Sequence, residues 1–203
     1  MTTALRRATG LVLAGLFAIA CGGSPTVTGV PTIPPVPSIA IPSGSFQIPS
    51  FAPDPAVEAG FPAQIDGQPL TDMESANFMA VLQSFNFDPE LINRFVAAMQ
   101  GLGINPATVG FGSATATVDD EDVSVQAVRF PGANAGAALD ALVRIDEPDD
   151  PPTLTTQTIG GKNVTVATDS DGDVEYYYVT GEWAWFLPSA TPEQAEVIFA
   201  ALP

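Results

Sequence analysis

The stretch ATATVDDEDVSVQA, residues 114–127, decides the fold class. Ala114, Ala116 and Val118 alternate with threonines, a polar turn of Asp119, Asp120, Glu121 and Asp122 follows, and Val123, Val125 and Ala127 then alternate with Ser124 and Gln126. Successive strand side chains point to opposite faces, so period-two alternation on both sides of a polar turn predicts a β-hairpin with one wet face. Pro131 and Gly132 break the pattern, and Asn134 precedes a stretch in which Ala138, Leu139, Leu142 and Val143 repeat at helical spacing. The unit is therefore a hairpin followed by a helix, closed by the charged proline loop IDEPDDPP at 145–152.

The same grammar recurs on either side. Leu154 to Ile159 and Asn163 to Ala167 read as a second hairpin around Gly160 and Gly161, and Val174 to Val179 with Trp183 to Leu187 as a third around Thr180, Gly181 and Glu182. A last helix starts at Thr191, with Pro192 at its first position and Gln194 completing a capping box, and it turns Ala195, Ile198 and Leu202 inward. Upstream, Asp66 and Gly67 make a turn between short extended pieces in FPAQIDGQPL. Met73 to Phe85 reads either as a helix, from the spacing of Phe78, Val81, Leu82 and Phe85, or as an irregular buried segment. Asp88 caps a helix with Pro89 at its first position, carried by Leu91, Ile92, Phe95, Val96 and Met99 and stopped by Gly101 and Gly103. A hairpin followed by a helix thus occurs at 114–145 and 174–202, with a further such unit at 61–101. These runs predict an α+β fold, an antiparallel sheet built from β-hairpins with helices packed on one face, a two-layer sandwich.

Residues 58–203 form the single globular domain of this reading, long enough to bury a core without disulfides. Before it, Ser24 to Ala56 holds nine of the chain's 20 prolines and no charge until Asp54. Residues 21–57 are read as a cysteine followed by a proline-rich linker, which in polyproline II form spans at most ~100 Å. A proline-rich stretch of this kind, here TIPPVPS, also suits aromatic peptide-binding grooves.

Residues 1–20 carry Arg6 and Arg7 and then an apolar run from Leu11 to Ala20, the length of a signal peptide and too short for the ~20 residues that cross a bilayer. Ala18, Ile19 and Ala20 before Cys21, the only cysteine, resemble the lipobox of bacterial lipoproteins, with Ala18 where the family prefers leucine. The resemblance implies that Cys21 is acylated, with palmitate-like chains, and becomes the first residue of the mature protein. It also implies attachment to the cell membrane on the extracytoplasmic side, since two or three acyl chains anchor stably. In general layout the remainder resembles secreted α+β lipoprotein domains of unassigned activity.

Removing residues 1–20 leaves four basic residues against 23 acids, 4 − 23 = −19. Such a chain does not bind nucleic acid, whose recognition needs a basic surface, and does not lie flat on anionic lipid. It contains no histidine, which removes histidine-based triads and proton shuttles and the usual zinc sites. No catalytic residue is expected, and no cofactor.

Two clusters are candidates for binding. The loop DSDGDVE at 169–175 places Asp169, Asp171, Asp173 and Glu175 at alternate positions, an arrangement that supplies calcium with oxygen ligands; its glycine and glutamate fall at the wrong places for an EF-hand, and a plain turn between strands accounts for it too. Trp183 and Trp185 share one face of a strand, and Tyr176 and Tyr178 lie across the turn. An exposed platform of these four would take a sugar ring or an apolar ligand, whereas a buried one is core filling. The resulting expectation is a lipid-anchored, non-enzymatic binding or structural domain of the cell envelope whose partner is an envelope protein, a glycan or a small ligand. The alternatives are a carbohydrate or hydrophobic-ligand binder using the aromatic face and a calcium-dependent adhesion or structural module.

Overall fold

A computed structural model describes residues 52–85, 87–146 and 151–203. Its centre is a seven-stranded antiparallel sheet, in the order β3-β4-β5-β9-β8-β7-β6. The strands are β3 (Thr71–Asn77), β4 (Gly110–Val118), β5 (Glu121–Arg129), β6 (Thr153–Ile159), β7 (Lys162–Thr168), β8 (Val174–Thr180) and β9 (Trp183–Leu187). A two-stranded hairpin, β1 (Gln64–Ile65) and β2 (Gln68–Pro69), stands apart from it. The helices are α1 (Pro55–Glu58), α2 (Phe78–Ser84), α3 (Pro89–Gly101), α4 (Ala135–Asp146) and α5 (Pro192–Ala201). The fold is thus mixed α and β around an antiparallel sheet of hairpins.

Each hairpin forms where a tight turn is chemically specified. Asp119 and Asp120 both take positive φ, 54° and 63°, between the paired residues Val118 and Glu121. This is the I′ form, whose twist matches that of the flanking strands. Gly160 and Gly161 do the same between Ile159 and Lys162. The helices start where the caps stand: the Asp88 carboxylate accepts from Glu90 N–H, and Thr191 and Gln194 complete a reciprocal capping box. The ambiguous segment Met73 to Phe85 is half strand and half helix. Asn77 ends β3 and caps α2, its side-chain oxygen accepting from Met79 N–H.

The expected two-layer sandwich with helices on one face is not what the contacts build, because both faces of the sheet are covered. On one face Phe78 of α2, Phe95 and Met99 of α3, and Ala138 and Leu139 of α4 share a core with Phe111, Val128, Ala184 and Phe186. On the other, Val57 of α1, Phe61, Ile65 of the small hairpin, and Ile198 and Phe199 of α5 pack on Ala114, Val125, Ala127, Trp185 and Leu187. The reason lies in the central strands. Ala127 and Val128 are adjacent and both fully buried, as are Ala184 and Trp185, so neither face could be left to water.

This layering also separates the two hairpin-helix units. β5 and β9 pair antiparallel at the middle of the sheet, so a two-fold relating the units runs along the sheet normal and keeps each helix on its own side. α4 and α5 lie on opposite sides, and the units are not related by that symmetry.

The folded body begins within the span read as linker. Asp54 caps α1 through Ala56 N–H and Val57 N–H, and its own N–H donates to Ser75 Oγ at 2.7 Å. Ser75 in turn donates to Glu58 at 2.8 Å, which fixes α1 to β3. Val57 is fully buried in a notch on β4, where a Cβ on Gly110 would come within 2.4 Å of its side chain and one on Gly112 within 2.6 Å. The glycines of that region therefore seat an apolar side chain.

Candidate functional site

α5 packs its apolar side on Val166 and Tyr176 and meets β6 at the Gly160 turn, leaving the rest of β6 exposed, and beside them lies a groove of about 410 Å³. Thr155 and Gln157 of β6, Thr168 of β7 and Glu196 of α5 provide its polar wall, while Ile159 and Val166 line its apolar side. Tyr176 of β8 lines it, 95% covered as a residue, with its hydroxyl open to the groove and making no hydrogen bond to the described residues. Burial, with the Glu193 carboxylate adding to it, pushes the Tyr176 phenol above the ordinary tyrosine range, so it stays a protonated donor. One end of the groove is set by the β6–β7 turn. A Cβ on Gly160 would come within 2.5 Å of Ala200 N and of Glu196 O, so the turn and the backbone of α5 meet at a glycine. The signal in the sequence was an uncharged threonine-rich strand, TLTTQTI, in an otherwise acidic chain, and it went unread as a wall.

The four aromatic residues do come together. Tyr178 pairs with Trp185 and Thr180 with Trp183 across β8 and β9, which puts Tyr176, Tyr178, Trp183 and Trp185 on one face. Trp183 and Trp185 stack with ring centres 5.6 Å apart. The face is roofed: Phe61 meets Trp185 edge-on at 5.0 Å, and Phe199 of α5 meets both Tyr176 and Tyr178. Trp185 is fully buried. Trp183 and Tyr178 are half-buried at the margin, with Arg129 over the Trp183 ring at 5.7 Å and Lys162 over the Tyr178 ring at 5.2 Å. Of the four, Tyr176 is the one that lines the groove.

The acidic loop is organised as a turn. One oxygen of Asp169 accepts from Asp171 N–H at 2.9 Å and from Asp173 N–H at 2.8 Å, and Asp169 N–H donates to Asp173 O. An aspartate satisfying backbone donors two and four residues on is an Asx-type turn. Glu175 stands on β8, where the Tyr177 hydroxyl donates to it. Among the described residues no group of three or more acids, histidines or cysteines is placed to hold a metal ion. Cys21 lies outside the described residues.

A charged contact joins β5 to the β8–β9 turn. Arg129 Nε donates to Glu182 Oε1 at 2.7 Å, and Gly132 N–H donates to the other oxygen at 3.0 Å. The Gly132 N–H and then the Arg129 guanidinium hold the Glu182 carboxyl below the usual range, against a smaller opposing effect of burial. Backbone bonds from Phe130 N–H to Glu182 O and from Ala135 N–H to Gly181 O tie the same turn to the start of α4. These contacts clasp β5 to the β8–β9 turn. No family model matches the chain, and no curated protein or solved structure matches it.

Proposed function

We propose that the chain is a lipid-anchored, extracytoplasmic binding domain of the cell envelope, without catalytic activity, that takes its ligand in the groove beside α5. The observation that carries the binding part is the Tyr176 hydroxyl, a donor that makes no hydrogen bond to the described residues and opens into a groove walled by Thr155, Gln157 and Thr168. Apart from Glu196 the groove's polar lining is uncharged, which suits a neutral ligand. The anchoring part rests on the lipobox-like residues ending at Cys21, with the proline-rich stretch as spacer. A calcium module has the weaker support, because Asp169 already serves the backbone of its own turn.

A second reading names the ligand class. Hydroxyl and amide side chains around one aromatic ring are what a neutral polyhydroxyl compound pairs with, so a glycan in this groove takes the place of a sugar on the tryptophan pair. Two measurements test the proposal. Cys21→Ser in the full chain is expected to move the protein from the membrane fraction to the soluble fraction, and retention in the membrane refutes the anchor. Titration with neutral oligosaccharides is expected to perturb tyrosine fluorescence or amide shifts around Tyr176 and to lose at least tenfold in affinity in Gln157→Ala. Saturable binding that Gln157→Ala leaves unchanged places the ligand elsewhere.

A further inference from the structure

The groove beside α5 has one charged residue in its lining, Glu196. A Cβ on Gly160 would come within 2.5 Å of the Glu196 carbonyl oxygen, so the β6–β7 turn holds the backbone of that residue in place. Among the described residues no cation is bonded to its carboxylate: Arg129 is paired with Glu182, Lys162 lies over the Tyr178 ring, and Arg94 belongs to α3 on the other face of the sheet. The surroundings add to the charge. Glu193 stands one turn earlier on α5, close enough to Tyr176 to help raise its pKa, and Thr168 and Val174, both in the lining, bracket the loop that carries Asp169, Asp171 and Asp173.

A carboxylate only accepts hydrogen bonds, whereas the hydroxyls of Thr155, Thr168 and Tyr176 and the amide of Gln157 both donate and accept. The groove therefore treats the parts of a ligand differently. A ligand hydroxyl pairs with either kind of group. An ammonium gains a charge-assisted bond at Glu196. A ligand carboxylate meets a second acceptor there and a like charge, which counts against it.

We propose that Glu196 makes this groove select among polyhydroxyl ligands by charge, favouring a sugar that carries a free amine over a neutral one and disfavouring a uronic acid. The inference rests on the groove being the binding site, and it adds a ranking within the ligand class. An exposed ion pair is worth about fivefold in affinity, which sets the size of each step. The chain's formal charge of −17 attracts any cation, so the effect of one carboxylate has to be separated from that of the total.

The test is titration of the full-length chain in non-ionic detergent with a neutral tetrasaccharide, the same compound with one hydroxyl replaced by an amine, and the same compound with one hydroxymethyl oxidised to a carboxylate. At about pH 6 the amine is protonated and the carboxylates are ionised. The expected order is amine, neutral, acid, with steps of about fivefold that shrink as salt is raised. Glu196→Gln is expected to bring the three within about twofold of one another. Glu74→Gln, which removes the same charge from β3 at the opposite edge, is expected to keep the order. Equal binding of the three by wild type overturns the proposal, and so does an order that Glu196→Gln preserves or that Glu74→Gln abolishes as well. In those cases the groove reading still stands if Gln157→Ala weakens binding. No saturable binding of any of the three, or binding that Gln157→Ala leaves unchanged, overturns the groove reading and this inference with it.

Discussion

Glu182 shows how one side chain joins the halves of this sheet. It accepts from Arg129 and from Gly132 N–H while its own carbonyl accepts from Phe130 N–H. Its carboxyl is held below the usual range, so its contribution is present above the ordinary glutamate pKa, about 4.3, and is lost as pH falls through the lower folded value. The pair is 26% and 30% exposed, and solvent screens it. Glu182→Gln is therefore expected to cost about 0.5–1 kcal/mol at neutral pH. Denaturant titrations of wild type and variant should differ fully above the ordinary glutamate pKa and draw together as pH falls below it. A difference that acid leaves undiminished would show that the cost comes from packing and not from the charge.

Turns decide which elements form, and the β4–β5 turn holds two successive non-glycine residues at positive φ. Asp119 and Asp120 hold positive φ without being glycine, and only the need to close β4 on β5 keeps them there. Asp120→Gly relieves that conformation and is expected to raise stability by about 1 kcal/mol, read as a higher unfolding midpoint. An unchanged or lower midpoint would mean that the aspartate's local hydrogen bonding offsets the strain. The hairpins were legible because each carries its turn residues in sequence, and the helices because Asp88 and Thr191 cap them. β3 was not: of Thr71 to Asn77 only Ala76 is buried, so an edge strand leaves no alternation to read. α1 was missed because Pro55 and Asp54 look like linker, and only the seating of Val57 in a glycine notch makes four residues a helix. The second helical layer did have a signal, in consecutive buried residues such as Trp185 and Phe186, which a strand with one wet face does not contain. The groove was beyond sequence, since Gln157 and Glu196, 39 positions apart, line one space only once α5 has packed beside β6.

For the whole molecule, charge governs the response to ions. A formal charge of −17 repels itself, so any added salt is expected to raise the thermal midpoint of the full-length chain somewhat. Millimolar calcium is expected to do no more than magnesium or sodium at matched ionic strength, because Asp169 is engaged with Asp171 N–H and Asp173 N–H. A rise specific to calcium would reassign Asp169, Asp171 and Asp173 as ligands, since a cation that binds only the folded state must stabilise it. The place where the chain enters the fold has a mechanical meaning as well. α1 sits over β3, β4 and β5, at the end of the sheet away from β6. With strands ~4.8 Å apart, that entry point stands about 25 Å from the β6 edge. A pull on the chain at that end would reach the Asp54–Ser75 bond and the seated Val57 first, as a tug on a sleeve strains the nearest seam, while β6 at the far edge stayed unloaded.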